Sequence, residues 1–265
     1  MLAILIALAV AGLVAGALLN DLIARASAGR VPASECGCQR RSARAGSIPS
    51  VLAVSWVRRR GKCAVCGQRM PTRALIVVVV TSAASVAVAV WIFSEHGPLD
   101  QPWETWSVVP VLIAYLYLAA VSIALTTIDL LTHRLPNSIV LPSYLVIGAL
   151  LALASVLGAQ WESLLRGVVG ALALFVFYAF LRAVGPGSVG GGDVKLAGVL
   201  GAALGFAGWG ALVIGALAAF LMAGLVSVAL MVAGRIGPRG RIAFGPWMIV
   251  GAWIGLFAED VFARS

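Results

Sequence analysis

Charge is scarce in this chain: 11% of its 265 residues are Asp, Glu, Lys or Arg, against 62% that are apolar. A soluble domain carries charge on about a quarter of its residues, so that class is excluded. The mean hydropathy of +1.04 points instead to a polytopic membrane protein. Acids are scarcer than bases, 10 against 19. The resulting pI of about 10.3 would suit a nucleic-acid partner, but the interleaved aromatic and basic residues of such surfaces are lacking. Eleven of the 19 bases lie between Arg25 and Arg73, the pattern of a cytoplasmic loop beside a membrane span. Nucleic acid is therefore not expected; a lipid bilayer is. Histidine is nearly absent, with only His96 and His133, which leaves no serine–histidine arrangement for nucleophilic catalysis. A basic region before the first apolar run is also missing, so Leu2–Leu19 reads as a first membrane helix rather than a cleaved signal.

What is abundant is apolar sequence in helix-length runs. A crossing takes about 20 residues, and eight candidates stand out: Leu2–Leu19, Ala74–Phe93, Val108–Ile128, Ser138–Leu157, Leu164–Ala183, Leu196–Phe206, Ala211–Ala233 and Ile242–Ala258. The fold expected is all-α, a polytopic bundle of about eight transmembrane helices with one irregular cytoplasmic loop. Its divisions are a first transmembrane helix over 1–20, a basic cysteine-bearing loop over 21–73, and a helical bundle over 74–265. Alternate loops collect 17 of the 19 bases, while the other set holds Glu95, Asp100, Glu104, Glu162, Glu259 and Asp260. The basic set is assigned to the cytoplasm, with both termini outside. Trp91, Trp103, Trp106, Trp161 and Trp209 fall near the outer ends, where indoles favour the interface. The glycines of the later runs, from Gly198 to Gly224, suit close helix packing in lipid.

Two aspartates interrupt this pattern. Asp129 follows an apolar run and leads, four residues on, into Arg134-Leu135-Pro136-Asn137; Asp193 sits in Gly190-Gly191-Gly192-Asp193-Val194-Lys195. The bland alternatives are an interfacial acid neutralised by Arg134 or His133, and a loop acid that caps the next helix. An ionisable group at a membrane boundary is nevertheless a functional candidate by default, and the topology puts both on one side. Glycine permits positive φ and close approach, so Gly190 and Gly192 are expected to shape the Asp193 loop and admit a substrate backbone. Lys195 and Arg134 are positioning candidates. Two carboxylates sharing a proton could activate water and protonate a scissile carbonyl in turn. All four cysteines, Cys36, Cys38, Cys63 and Cys66, lie in the basic loop. In a reducing compartment a metal is a better expectation for them than disulfides.

The pair Asp129-x4-Arg134-Leu135-Pro136-Asn137 and Gly190-x-Gly192-Asp193-x-Lys195 resembles the signature of type IV prepilin leader peptidases, membrane aspartyl proteases of the GxGD group. Gly16-Ala17-Leu18-Leu19-Asn20, Ile48-Pro49, Arg60-Gly61-Lys62-Cys63-Ala64-Val65-Cys66-Gly67 and Ala243-Phe244-Gly245-Pro246 resemble further family segments, in order along nearly the whole chain. The resemblance implies cleavage of prepilins and pseudopilins on the cytoplasmic face of the cell membrane, between a basic leader and an apolar helix. Asp129 and Asp193 match its catalytic pair. It also implies structural zinc on the four cysteines and, in many members, methylation of the new N-terminus from S-adenosylmethionine. Here the first cysteine pair is Cys36-Gly37-Cys38 instead of Cys-x-x-Cys. Thr72-Arg73-Ala74-Leu75 stands where the family has an acid after the second pair. These departures argue against methylation but not against peptidase activity. The competing readings are a transporter or channel with intramembrane acids, and a catalytically silent factor in pilus or secretion assembly.

Overall fold

The computed structural model describes residues 2–27, 72–96, 102–185, 189–235 and 243–263. Among them every regular element is α-helical: α1 Leu2–Ala26, α2 Thr72–His96, α3 Pro102–Thr132, α4 Asn137–Gly158, α5 Trp161–Val184, α6 Gly191–Ala207, α7 Trp209–Val232 and α8 Gly245–Ala263. This is what an apolar medium dictates, because a helix satisfies its backbone hydrogen bonds internally. Among the described residues six helices, α1 to α5 and α7, are long and apolar enough to cross a membrane. α6 has 17 residues, about 26 Å at 1.5 Å per residue, short of the roughly 30 Å hydrocarbon core. The multi-pass bundle of about eight helices expected from the sequence thus has eight helices among the described residues, with α6 the shortest. The cysteine segment lies outside those residues.

One compact unit comprises residues 1–94 and 116–133. Within it α1 and α2 run antiparallel with their backbones nearly touching. A Cβ on Gly12 would lie 2.7 Å from Ser82 Cα, and one on Gly16 would lie 2.7 Å from Val78 Cα. Ser82 Oγ donates to the Ala9 carbonyl at 2.9 Å, and Asn20 Nδ2 donates to the Ala74 carbonyl at 2.9 Å. Polar side chains placed this way bond across helices where water is absent.

The other unit holds residues 95–115 and 134–265. Its centre is α6, of whose 17 residues twelve are buried. α5 packs antiparallel on α6 through glycines: a Cβ on Gly170 would meet the Gly201 carbonyl oxygen at 2.5 Å, and one on Gly201 or Gly205 would strike the α5 backbone at Gly170 or Arg166. α7 and α8 meet in the same manner at Gly215, Gly251 and Gly255. Tyr115, from the first half of α3, donates its hydroxyl to the Ala203 carbonyl of α6 at 2.8 Å. Gly224 departs from the packing role expected for it, since nothing lies within 4 Å of a Cβ placed there. It is exposed on the surface of its unit.

The far end of α6 is capped by side chains that suit its polarity. Arg166 donates to the Gly205 and Phe206 carbonyls at 3.4 and 3.5 Å, cationic groups at a helix C-terminus. Just beyond, the Glu259 carboxylate covers Gly208 and Gly210 at the start of α7, an anion at a helix N-terminus.

Candidate active site

The two aspartates lie inside helix ends rather than in loops. Sequence apolarity ends the third run at Ile128, but α3 continues to Thr132, which puts Asp129 one turn before its end. Asp129 is 4% exposed. The helix stops at His133, which adopts the left-handed conformation with φ 49° and donates its N–H to the Asp129 carbonyl at 2.8 Å. That is the αL form of helix termination, here with an exposed histidine instead of glycine. Arg134, next in the chain, is exposed too.

Asp193 belongs to the second unit. α6 begins at Gly191, not at Leu196, so Asp193 occupies the third position of its first turn and is 8% exposed. Its Oδ2 accepts the Gly190 N–H at 3.0 Å. This is the return half of a capping box, the other half being closed to glycine. The capping alternative is therefore real, and it fixes one carboxylate oxygen.

The triple glycine is explained by space and not by handedness. Gly190 has φ −68° and ψ 149°, an extended conformation open to any residue. A Cβ on Gly190 would sit 2.8 Å from Asp193 Oδ2, and one on Gly192 would sit 2.7 Å from Leu135 Cβ. One on Gly191 would strike the Arg182 guanidinium. Side chains from neighbouring elements have filled the volume that larger residues would need.

Lys195 does not stand apart: its Nζ donates to Asn137 Oδ1 at 3.0 Å, joining the two motifs. Sequence reasoning missed two tyrosines. Tyr144, on α4, donates its hydroxyl to the Lys195 carbonyl at 2.6 Å. Tyr178, on α5, is 1% exposed, and its hydroxyl lies within electrostatic range of the Asp193 carboxyl. Its ring stacks on Phe220 at 5.6 Å and 14° and touches Phe244 at 5.9 Å. Phe244, in the segment opening α8, thereby braces the helix that faces Asp193.

Residues 116–231 match the type IV leader peptidase family, and residues 10–93 match the bacterial peptidase A24 N-terminal domain. A prepilin leader peptidase/N-methyltransferase of Aeromonas hydrophila is 33% identical over 223 residues, covering 82% of this chain and 69% of the relative. The chain belongs to the type IV leader peptidase family. Relatives of the same description from Dichelobacter nodosus, 33% identical with 84% and 70% covered, and Pseudomonas putida, 29% identical with 89% and 75% covered, agree. No solved structure matches the chain. Family membership makes it a peptidase and sets the transporter and channel alternative aside.

Proposed function

We propose that this enzyme cleaves the basic leader from prepilin or pseudopilin precursors, with Asp129 and Asp193 as its two catalytic carboxylates. The observation that carries the proposal is that the family's two acidic motifs each supply a buried aspartate at a helix end. Two such acids working as a pair hold one proton between them. The ionised member takes a proton from water as the water oxygen bonds to the scissile carbonyl carbon, and the protonated member gives its proton to the carbonyl oxygen. Collapse of the tetrahedral intermediate then breaks the C–N bond, with a proton passing to the departing amine. The products are a leader carboxylate and a mature chain with a free N-terminus. The roles belong to the pair, not to either residue alone.

The orientation proposed is the one given by charge. In the second unit Arg182 and Lys195 gather at the Asp193 end, while Glu162 and Glu259 lie at the opposite ends of their helices. A multi-pass chain in the cell membrane with its basic end in the cytoplasm would meet the substrate's leader there. Four thiolates form a donor set that suits tetrahedral zinc, and Cys36, Cys38, Cys63 and Cys66 are proposed as a structural site in the cytoplasmic loop. Use of S-adenosylmethionine belongs only to a methylating enzyme, and labelled-methyl transfer to cleaved product separates that case from a peptidase alone.

The test is cleavage of a synthetic precursor with a basic leader and an apolar helix by the full chain and its Asp129→Asn and Asp193→Asn variants. Each substitution is expected to lower kcat by about 1,000-fold or more, the scale of losing a group that acts as part of a catalytic unit. Normal cleavage by either variant refutes the pair, and no cleavage by the parent chain favours the silent assembly factor.

A further inference from the structure

The first two turns of α6 are gripped by the start of α4 and the residues that lead into it. Leu135 presses on Gly192, Asn137 binds the Lys195 ammonium, and Tyr144 binds the Lys195 carbonyl. These contacts differ in what they can fix. The lysine bond joins the tips of two side chains and tolerates rotation of the helix beneath it. The tyrosine bond reaches the backbone itself, two residues beyond Asp193, through a ring that is part-buried. A helical carbonyl has a second lone pair to offer. At 2.6 Å this contact is at the short end for an O–H donor. The ring reaches it only because residue 198 is glycine: a Cβ there would land on the phenol oxygen. Turning α6 about its axis would break the Tyr144 bond and drive the helix surface into that ring.

We propose that Tyr144 is a positioning residue that sets the rotation of α6 and so aims the Asp193 carboxylate. The proposal rests on the reading of Asp193 as a catalytic acid. Tyr144 does not touch the carboxylate; it acts through the backbone of the turn that carries it. Gly190 completes the aim locally by binding Oδ2, while Tyr144 holds the turn as a whole.

The experiment uses the full-length enzyme in detergent micelles, with the synthetic precursor as substrate, and Tyr144→Phe, Gly198→Ala and Asp193→Asn as variants. Steady-state cleavage and amide hydrogen exchange across residues 190–200 are both measured. For Tyr144→Phe the expected result is a fall in kcat of about tenfold at unchanged KM, a fraction of the 100-fold that an ångström of misplacement costs. Exchange in the first turns of α6 is expected to quicken, with protection elsewhere unaltered. Gly198→Ala displaces the same ring from the opposite side and serves if Tyr144→Phe does not accumulate. Wild-type kcat and wild-type exchange in either variant overturn the proposal. So does a rise in KM alone, or a loss of protection spread over the whole chain. Normal cleavage by Asp193→Asn would instead overturn the catalytic reading, and the exchange data would still decide whether Tyr144 sets the turn.

Discussion

At the scale of single residues, the Asp193 turn depends on side chains that are absent. Gly190→Ala puts a methyl group 2.8 Å from Asp193 Oδ2, and Gly192→Ala puts one 2.7 Å from Leu135 Cβ. Both are far inside ordinary contact distance, but they err in different directions. The first displaces the acid itself. The second pushes the helix away from the segment that leads into α4, and removing the obstructing side chain should relieve it. The expectation is a loss of about tenfold or more in kcat for each, with Leu135→Gly, which removes the obstructing Cβ, restoring much of the activity of Gly192→Ala and none of that of Gly190→Ala. A double-mutant cycle on cleavage rates checks this, and equal rescue of both variants would contradict it. None of this was legible from composition. The sequence marks the glycines and suggests freedom of φ or room for a substrate. The structure shows that the room is already occupied, by Leu135, Arg182 and the carboxylate.

At the scale of elements, glycines that look alike in sequence do different things. Gly201→Ala forces a methyl group into the Gly170 backbone, where neither helix can yield cheaply. A destabilisation of about 1–3 kcal/mol is expected from such overpacking. Gly224→Ala meets nothing within 4 Å and replaces a poor helix former with the best one, so its thermal midpoint should equal or exceed that of the parent. Denaturation of the two variants side by side tests the contrast, and a stable Gly201→Ala would contradict it. Hydropathy made all eight helices visible, because each is an apolar run. It misplaced their ends at both acids, since apolarity records where a chain leaves hydrocarbon and not where helical hydrogen bonding stops. Tyr144 and Tyr178 stayed hidden for another reason. Each lies in an apolar run where a tyrosine looks unremarkable, and its meaning rests on partners on other helices: Gly198 and Lys195 for one, Asp193, Phe220 and Phe244 for the other.

At the scale of the whole molecule, two outcomes follow from the proposed orientation. A membrane-impermeant maleimide applied outside intact spheroplasts should label Glu162→Cys and leave Arg182→Cys untouched until the membrane is opened; the reverse pattern would invert the topology. Metal analysis of the purified chain should find one zinc per molecule, lost on Cys63→Ser together with Cys66→Ser, and a metal-free parent would remove the site. The glycine seam between α5 and α6 carries a last consequence. With backbone against backbone at Gly170 and Gly201, neither helix can slide or twist alone. Any movement that swings Asp193 towards a substrate carries α5 with it as a single lever. Arg166, which spans both helices at the other end of α6, would travel too, so a probe placed there would report the stroke of an acid a whole helix length away.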